Sequence, residues 1–240
     1  MEDRDVVITS AFRTAIGSFN GSLSSKTGPE LGSIVIKKCV EHSELKPEEV
    51  DTTYMGQVLT TGAGQNPARQ ASILAGLSND TTNITINQVC GSGLASVGLA
   101  YNSIKSGDGK VIIAGGQESM SNSPHYINIR KGIKMGDGSM KDSMIIDGLW
   151  DVYNQYHMGI TAENVAEKYQ ITREEQDNFA AASQRKATDA IKGNKFVNEI
   201  VPVKVKVKRE EVEFNQDEYP KGDSTVEKLA KLRPAFKKDG

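Results

Sequence analysis

Only two cysteines, Cys39 and Cys90, occur in these 240 residues. They lie far apart, without the CxxC or metal-ligand spacing that would suggest a redox pair or a thiolate metal site. No metal is therefore expected. Nor is there an apolar run near the ~18 residues that a bilayer crossing requires. Charge of one sign is missing as well: 29 Lys+Arg stand against 31 Asp+Glu, a formal net charge of −2. Such a balance leaves no global field to recruit nucleic acid or an anionic membrane, so any phosphate recognition must be local. The opening Met1-Glu2-Asp3-Arg4-Asp5 is acidic and runs straight into an apolar strand, unlike a secretory leader. A reducing cytoplasm is the compartment expected, or an organelle matrix had a leader been trimmed. Internal repeats and low-complexity segments are absent.

What is present is an ordinary globular composition, 37% hydrophobic and 25% charged, long enough for one large or two small domains. Val6-Val7-Ile8-Thr9 reads as a compact apolar strand. Pro29 fits the first turn of a helix, followed at helical spacing by Leu31, Ile34, Val35 and Cys39, so Cys39 is read as core. Tyr54 to Val58 reads as a strand, Pro67 to Ala75 as a helix closed by Gly76, Asn83 to Ile86 as a strand. Lys110 to Gly116 holds an apolar run read as a strand buried on both faces. Strands and helices alternating at this length predict an α/β sheet covered by helices, with its site at the strand carboxyl ends.

The pattern changes near Ser121. From there to Asp147 no period is visible, yet Ile127, Ile129, Ile133, Met135 and Met140 are too apolar for a merely solvated loop. Helices are predicted from Thr161 to Tyr169 and from Thr172 to about Ile191. The second starts at a capping box, Thr172-Arg173-Glu174-Glu175, and Gly193 closes it. Val201 to Lys208 alternates valine and lysine, the pattern of a half-exposed edge strand whose lysines form its wet face rather than a phosphate patch.

The chain is organised around Asn87-Gln88-Val89-Cys90-Gly91-Ser92-Gly93-Leu94-Ala95. Ile84, Thr85 and Ile86 before it are β-branched, and Leu94 to Ile104 is apolar at helical spacing, rich enough in Ala, Gly, Leu and Val to read as buried on nearly all sides. Cys90 is thus placed at a strand-to-helix turn, near a helix N-terminus. Unpaired N–H groups and the macrodipole there favour the thiolate, the reactive form of cysteine. Gly91 and Gly93 remove side chains where backbone must approach a ligand or an oxyanion. The competing reading is a small buried cysteine with no chemistry.

That stretch resembles the nucleophile motif of the thiolases, in particular the acetyl-CoA acetyltransferase branch. Three more stretches agree in order and spacing: Ala11-Phe12-Arg13-Thr14-Ala15-Ile16-Gly17, Ala114-Gly115-Gly116-Gln117-Glu118-Ser119-Met120-Ser121 and His157-Met158-Gly159-Ile160-Thr161-Ala162-Glu163-Asn164. The fold implied is α/β, a thiolase-like N-terminal half with a mixed sheet covered on both faces, carrying an inserted α+β loop domain. On that reading residues 1–121 form the domain with the nucleophile and 122–240 the loop domain, with its oligomerisation loop and CoA-binding region. The family's C-terminal motifs, Asn-Glu-Ala, Gly-His-Pro and Cys-Gly-Gly, do not occur in the sequence, so the resemblance stops at the N-terminal half and its loop domain.

What the resemblance implies is an acyl-CoA acyltransferase that forms or cleaves acetoacetyl-CoA through an S-acetyl intermediate on Cys90. It also implies Leu149, His157 and Met158 as walls around the pantetheine and reacting end. Lys221 aligns where relatives often place an arginine near the CoA nucleotide, and offers a point charge there. Coenzyme A and its acetyl thioester enter as substrates, with no permanently bound cofactor, and a homo-oligomer, dimer or tetramer, is the expected assembly. The family's activating His and second Cys are not found, so the 240 residues alone are expected not to turn over. Two other readings stay open. One is a non-catalytic CoA-binding or assembly module derived from a thiolase. The other is a relative of the β-ketoacyl synthases, against which the His-Met-Gly and Gly-Gly-x-Glu-Ser-Met-Ser stretches speak.

Overall fold

The computed structural model describes residues 5–207 and 209–240. The chain divides into two units: one runs to Gly148 and takes in Glu199–Asn215, the other comprises Leu149–Asn198 and Gln216–Gly240. In the first unit, β1 (Arg13–Thr14) is followed by α1 (Gly28–His42). A capping box starts that helix: the Thr27 hydroxyl accepts the Glu30 N–H at 3.3 Å and the Glu30 carboxylate accepts the Thr27 N–H at 2.8 Å. Then β2 (Thr52–Gly56), α2 (Pro67–Leu74), β3 (Thr82–Ile86), α3 (Ser92–Ser106) and β4 (Ile112–Gly116) alternate as the sequence predicts.

The three strands form a parallel sheet in the order β3-β2-β4, with Thr53 opposite both Asn83 and Ile113. From β2 to β3 the chain steps one way across the sheet, and from β3 to β4 it steps back. Right-handed crossovers then put α2 and α3 on opposite faces. On the α1–α2 side, Ile36, Val40, Val50, Met55, Ala68, Ala71 and Leu77 make one apolar cluster. α3 is docked on the other face by polar contacts: the Ser96 hydroxyl donates to the Gly115 carbonyl at 2.9 Å, and the Tyr54 and Ser103 hydroxyls lie 2.9 Å apart. A two-residue ladder of β5 (His125–Tyr126) and β6 (Lys141–Asp142) interrupts the aperiodic stretch that follows.

In the second unit β7 (Trp150–Asp151) and β8 (Tyr156–His157) pair antiparallel and lead into α4 (Met158–Tyr169) and α5 (Arg173–Lys192). The predicted capping box of α5 is present, with Glu175 accepting the Thr172 N–H at 2.7 Å. Returning to the first unit, β9 (Ile200–Val201) pairs parallel with β1, and β10 (Val203–Val207) forms a hairpin with β11 (Glu210–Phe214). Val203 and Val205 are buried against Leu23, Leu31 and Ile34, whereas Lys204 faces solvent and reaches Glu211 at 3.3 Å. Lys204 and Lys206 are the wet face of β10, as their alternation implied. Lys208, like Met1 to Arg4, lies outside the described residues. The last helix, α6 (Val226–Leu229), is tied to α5 by Arg173, whose guanidinium donates to the carbonyls of Leu229 and Leu232.

Several expectations need correcting. Val6 to Thr9 form no strand: the segment leads to β1 without a ladder partner of its own, with Val7 73% and Ile8 80% exposed. Among the described residues the edge of β4 remote from β2 has no strand partner either. Between the two runs a groove of about 690 Å³, lined also by Val97, Ala100, Tyr101 and Ile104 of α3. Extended chain without a neighbour at ladder distance cannot make a strand. Cys39, read as core, is only half-buried and lines the same groove. β4 is half-buried rather than buried on both faces. α3 is far from buried all round: Ser92, Ser96 and Ala100 face inward, while Leu94, Val97, Leu99 and Tyr101 are exposed. The predicted start of α4 at Thr161 moves back to Met158, because the His157 ring caps the helix. The first unit runs on past Ser121 to Gly148, where Leu59 packs by Gly148 and Thr61 donates to Asp147 at 2.9 Å; the division of the chain at residue 121 stays an expectation.

Candidate active site

β2, β3 and β4 all run toward the same end, and the turn between β3 and α3 lies there. Three glycines let the start of α3 come down on those strand ends. A Cβ on Gly56 would stand 2.7 Å from the Ser92 backbone carbon and 2.8 Å from the Gly93 nitrogen, and one on Gly116 would meet the Gly93 Cα at 3.4 Å. At Gly56 no side chain fits between strand and helix, and at Gly116 a Cβ would already touch Gly93, so the turn that holds Cys90 lies directly over the sheet.

Within the turn, Val89 adopts φ +50°. A β-branched residue in the left-handed region is a genuine outlier, of order 1–3 kcal/mol, that persists only when its surroundings over-determine it. Here the surroundings are three hydrogen bonds. The Val89 N–H donates to the Asn87 side-chain oxygen at 2.9 Å, and the Val89 carbonyl accepts both the Ser92 N–H at 3.1 Å and the Ser92 hydroxyl at 2.6 Å. The same hydroxyl accepts the Gln88 N–H at 2.8 Å. Cys90 follows, exposed and unbonded as a free thiol, just before Gly91, the residue that opens α3. Its neighbours Gly91 and Ser92 spend their N–H groups on Gln88 and Val89, but among the described residues the Cys90 N–H has no acceptor. A thiol at a helix start, with its own backbone donor unspent, can attack a carbonyl carbon and hold the resulting oxyanion.

Glu118 stands on the loop after β4. Its carboxylate accepts the N–H groups of Val58 at 2.8 Å and Leu59 at 3.1 Å, clamping the loop after β2. Burial pushes this carboxyl above the ordinary glutamate range, and the two N–H groups oppose the shift. Among the described residues no group of three or more His, Cys, Asp or Glu could hold a metal, and no helix is long and apolar enough to cross a membrane.

The other four residues suggested by the sequence lie in the second unit. Leu149, His157 and Met158 come together in one hairpin, where Trp150 pairs with His157 and Leu149 and Met158 flank that pair. His157 caps α4 with Nδ1, which accepts the Gly159 N–H at 3.0 Å and so leaves the ring proton on Nε2. Its ring stacks on Phe236 at 5.0 Å between centroids. Lys221 lies apart from this hairpin in sequence; it is exposed, and its backbone N–H is held by Gln184 of α5 at 2.6 Å.

The sequence model of the thiolase N-terminal domain matches residues 6–240. The chain belongs to the thiolase family. Among its relatives, an acetyl-CoA acetyltransferase of Pseudomonas aeruginosa is 55% identical over 99% of this chain, and one of Cupriavidus necator 55% identical over 98%. The chain spans 61% of the length of each. The crystal structure of the Bacillus anthracis acetyl-CoA acetyltransferase superposes with a TM-score of 0.94 at 40% identity, over 98% of this chain and 59% of that one. The thiolase-like α/β fold expected from the sequence is the fold observed.

Sequence reasoning missed Val89, Ser92 and Glu118 as working parts. Ser92 and Glu118 both sat inside stretches that carried the family resemblance. Their roles depend on which backbone groups they reach, and no spacing shows that. Gly56, inside the predicted strand Tyr54 to Val58, had a visible signal, since close backbone approach is a usual reason for glycine there, and Gly116 stands at the end of the predicted strand from Lys110.

Proposed function

We propose that this thiolase-family chain carries the acyl-accepting part of an acetyl-CoA C-acetyltransferase, with Cys90 as the residue acetylated. The single observation behind the reading is the free, exposed Cys90 on a strained turn at the start of α3, with an unspent N–H beside it. The chemistry is thioester exchange. The Cys90 thiolate adds to the carbonyl carbon of acetyl-CoA and the carbonyl oxygen takes the charge. Collapse expels the CoA thiolate, which takes up a proton, and leaves an S-acetyl cysteine. Acetyl-CoA and acetoacetyl-CoA are the substrates on this reading, and no resident cofactor takes part. The Leu149–His157–Met158 hairpin and Lys221 contact the CoA, the hairpin along the pantetheine and Lys221 near the nucleotide. Assembly is as a homo-oligomer and the compartment is the cytoplasm.

The test is incubation with acetyl-CoA followed by peptide mass spectrometry. An acetyl adduct on the peptide bearing Cys90, absent in Cys90→Ser, is the expected result. Acetylation at Cys39 instead, or CoA binding with Cys90 left unmodified, would overturn the assignment. The second of those outcomes would favour a binding or assembly module.

A further inference from the structure

Ser92 is nearly inaccessible to solvent, 4% exposed, yet it sits two residues after an exposed cysteine and has no place in thioester exchange as such. Its hydroxyl makes two hydrogen bonds that span that cysteine. It accepts from the Gln88 N–H at 2.8 Å, two residues before Cys90, and donates to the Val89 carbonyl at 2.6 Å, in the peptide that joins Val89 to Cys90. The space for it is made by Gly56, where any side chain would strike Ser92. The peptide unit whose oxygen Ser92 holds is also the one that carries the Cys90 N–H. Fixing that oxygen therefore fixes the direction in which the N–H points, since the peptide is planar.

We infer that Ser92 is a positioning residue, which keeps Val89 in its left-handed conformation and thereby aims the Cys90 N–H at the oxyanion that forms when Cys90 is acylated. A serine that only filled space under α3 would need neither bond. An alanine there leaves the Gln88 N–H without its acceptor and the strained Val89 peptide with one bond fewer, so this peptide is the first part of the turn free to rotate. Attack by sulfur and support of the oxyanion are then separable. Alkylation at a saturated carbon forms the S–C bond and expels a halide without any oxyanion, whereas acylation passes through one.

The inference rests on Cys90 being a nucleophile, and the experiment keeps the two apart. Wild type, Ser92→Ala and Ser92→Thr are each treated with iodoacetamide, with a small acetyl thioester of N-acetylcysteamine, and with acetyl-CoA. Cys39 serves as an internal reference and thermal unfolding as a check of folding. The expected result is that S92A loses tenfold or more in acylation of Cys90 by the small thioester. Its alkylation of Cys90 stays within about twofold of wild type, and S92T, which keeps the hydroxyl, recovers most of the acylation. Parallel changes in alkylation and acylation, with Cys39 changing too, would show a merely structural role and overturn the inference, as would wild-type acylation in S92A. If S92T does not fold, the alkylation-to-acylation ratio in S92A decides alone. A wild type that the small thioester does not acylate also overturns it. A wild type acylated by the small thioester but not by acetyl-CoA refutes the proposed substrate and leaves the Ser92 comparison decided by the other two reagents.

Discussion

Substituting Gly56 by alanine puts one methyl group where β2 and α3 meet. The new Cβ would lie 2.7 Å from both the backbone carbon and the Cβ of Ser92, and 2.8 Å from the Gly93 nitrogen. Non-bonded carbons rest at about 3.5–4.0 Å, so the start of α3 must retreat by roughly 1 Å. No rotamer change can relieve the contact, because two of the three atoms are backbone. Overpacking of this kind costs about 1–3 kcal/mol, and a domain of this size loses about 2–4 °C of Tm per kcal/mol, so a fall of about 2–12 °C is expected. Acylation should suffer more than stability. A 1 Å misplacement in a reacting assembly can lower a rate by about a hundredfold. Gly98→Ala is the control: it lies on the same helix with nothing within 4 Å of the added methyl, and should hold or raise Tm, since alanine is the better helix former by up to about 1 kcal/mol. Thermal unfolding by circular dichroism and acylation by the small thioester measure both quantities. A Gly56→Ala protein with wild-type Tm and wild-type acylation would mean that α3 does not rest on β2 as the structure places it.

Glu118 gives a pH signature. Its folded carboxyl titrates above the unfolded value because of burial, so in the window just above about pH 4.3 the folded chain holds more protons than the unfolded one and stability falls as pH rises. Urea melts across that window should show the slope in wild type and lose it in Glu118→Gln; an unchanged slope would refute the assignment. Asp51 acts in the opposite sense. The Lys110 and Val111 N–H groups hold its carboxyl below the ordinary range, so its contribution is present above about pH 4 and lost on acidification, which Asp51→Asn should flatten in acid unfolding curves. The 240-residue polypeptide alone should show no measurable thiolysis of acetoacetyl-CoA. Robust CoA-dependent turnover, followed by loss of the acetoacetyl-CoA absorbance, would force a search for a base among His42, His125 and His157. Finally, the exposed Leu94, Val97, Leu99 and Tyr101 on α3 should drive self-association and ANS binding. A monodisperse, ANS-silent monomer in light scattering at several concentrations would refute that expectation.

Local sequence determined a good deal by itself. Thr172 with Glu175 marks the start of α5 and Gly193 its end, because capping is a contest settled within one helical turn. From Val203 to Lys206 the Val-Lys alternation of β10 separates inner from outer face because strand side chains alternate, and only Val207 at the strand's end is exposed against the pattern. The strand–turn–helix setting of Cys90 was legible for the same reason: β-branched residues precede it, and apolar residues at helical spacing follow.

Properties that depend on contacts between distant segments had to await the tertiary structure. Val6 to Thr9 has the composition of a strand, but a strand exists only with a neighbour to bond, and among the described residues none lies beside it. The apolar surface of α3 predicts burial, but burial needs a layer on top, and half of that surface has none within the described chain. The strain at Val89 is invisible in a string of letters. It arises because Ser92 fits beneath the turn, Gly56 leaves room for Ser92, and β2 places Gly56 there, so residues dozens of positions apart jointly select a conformation that valine alone would avoid.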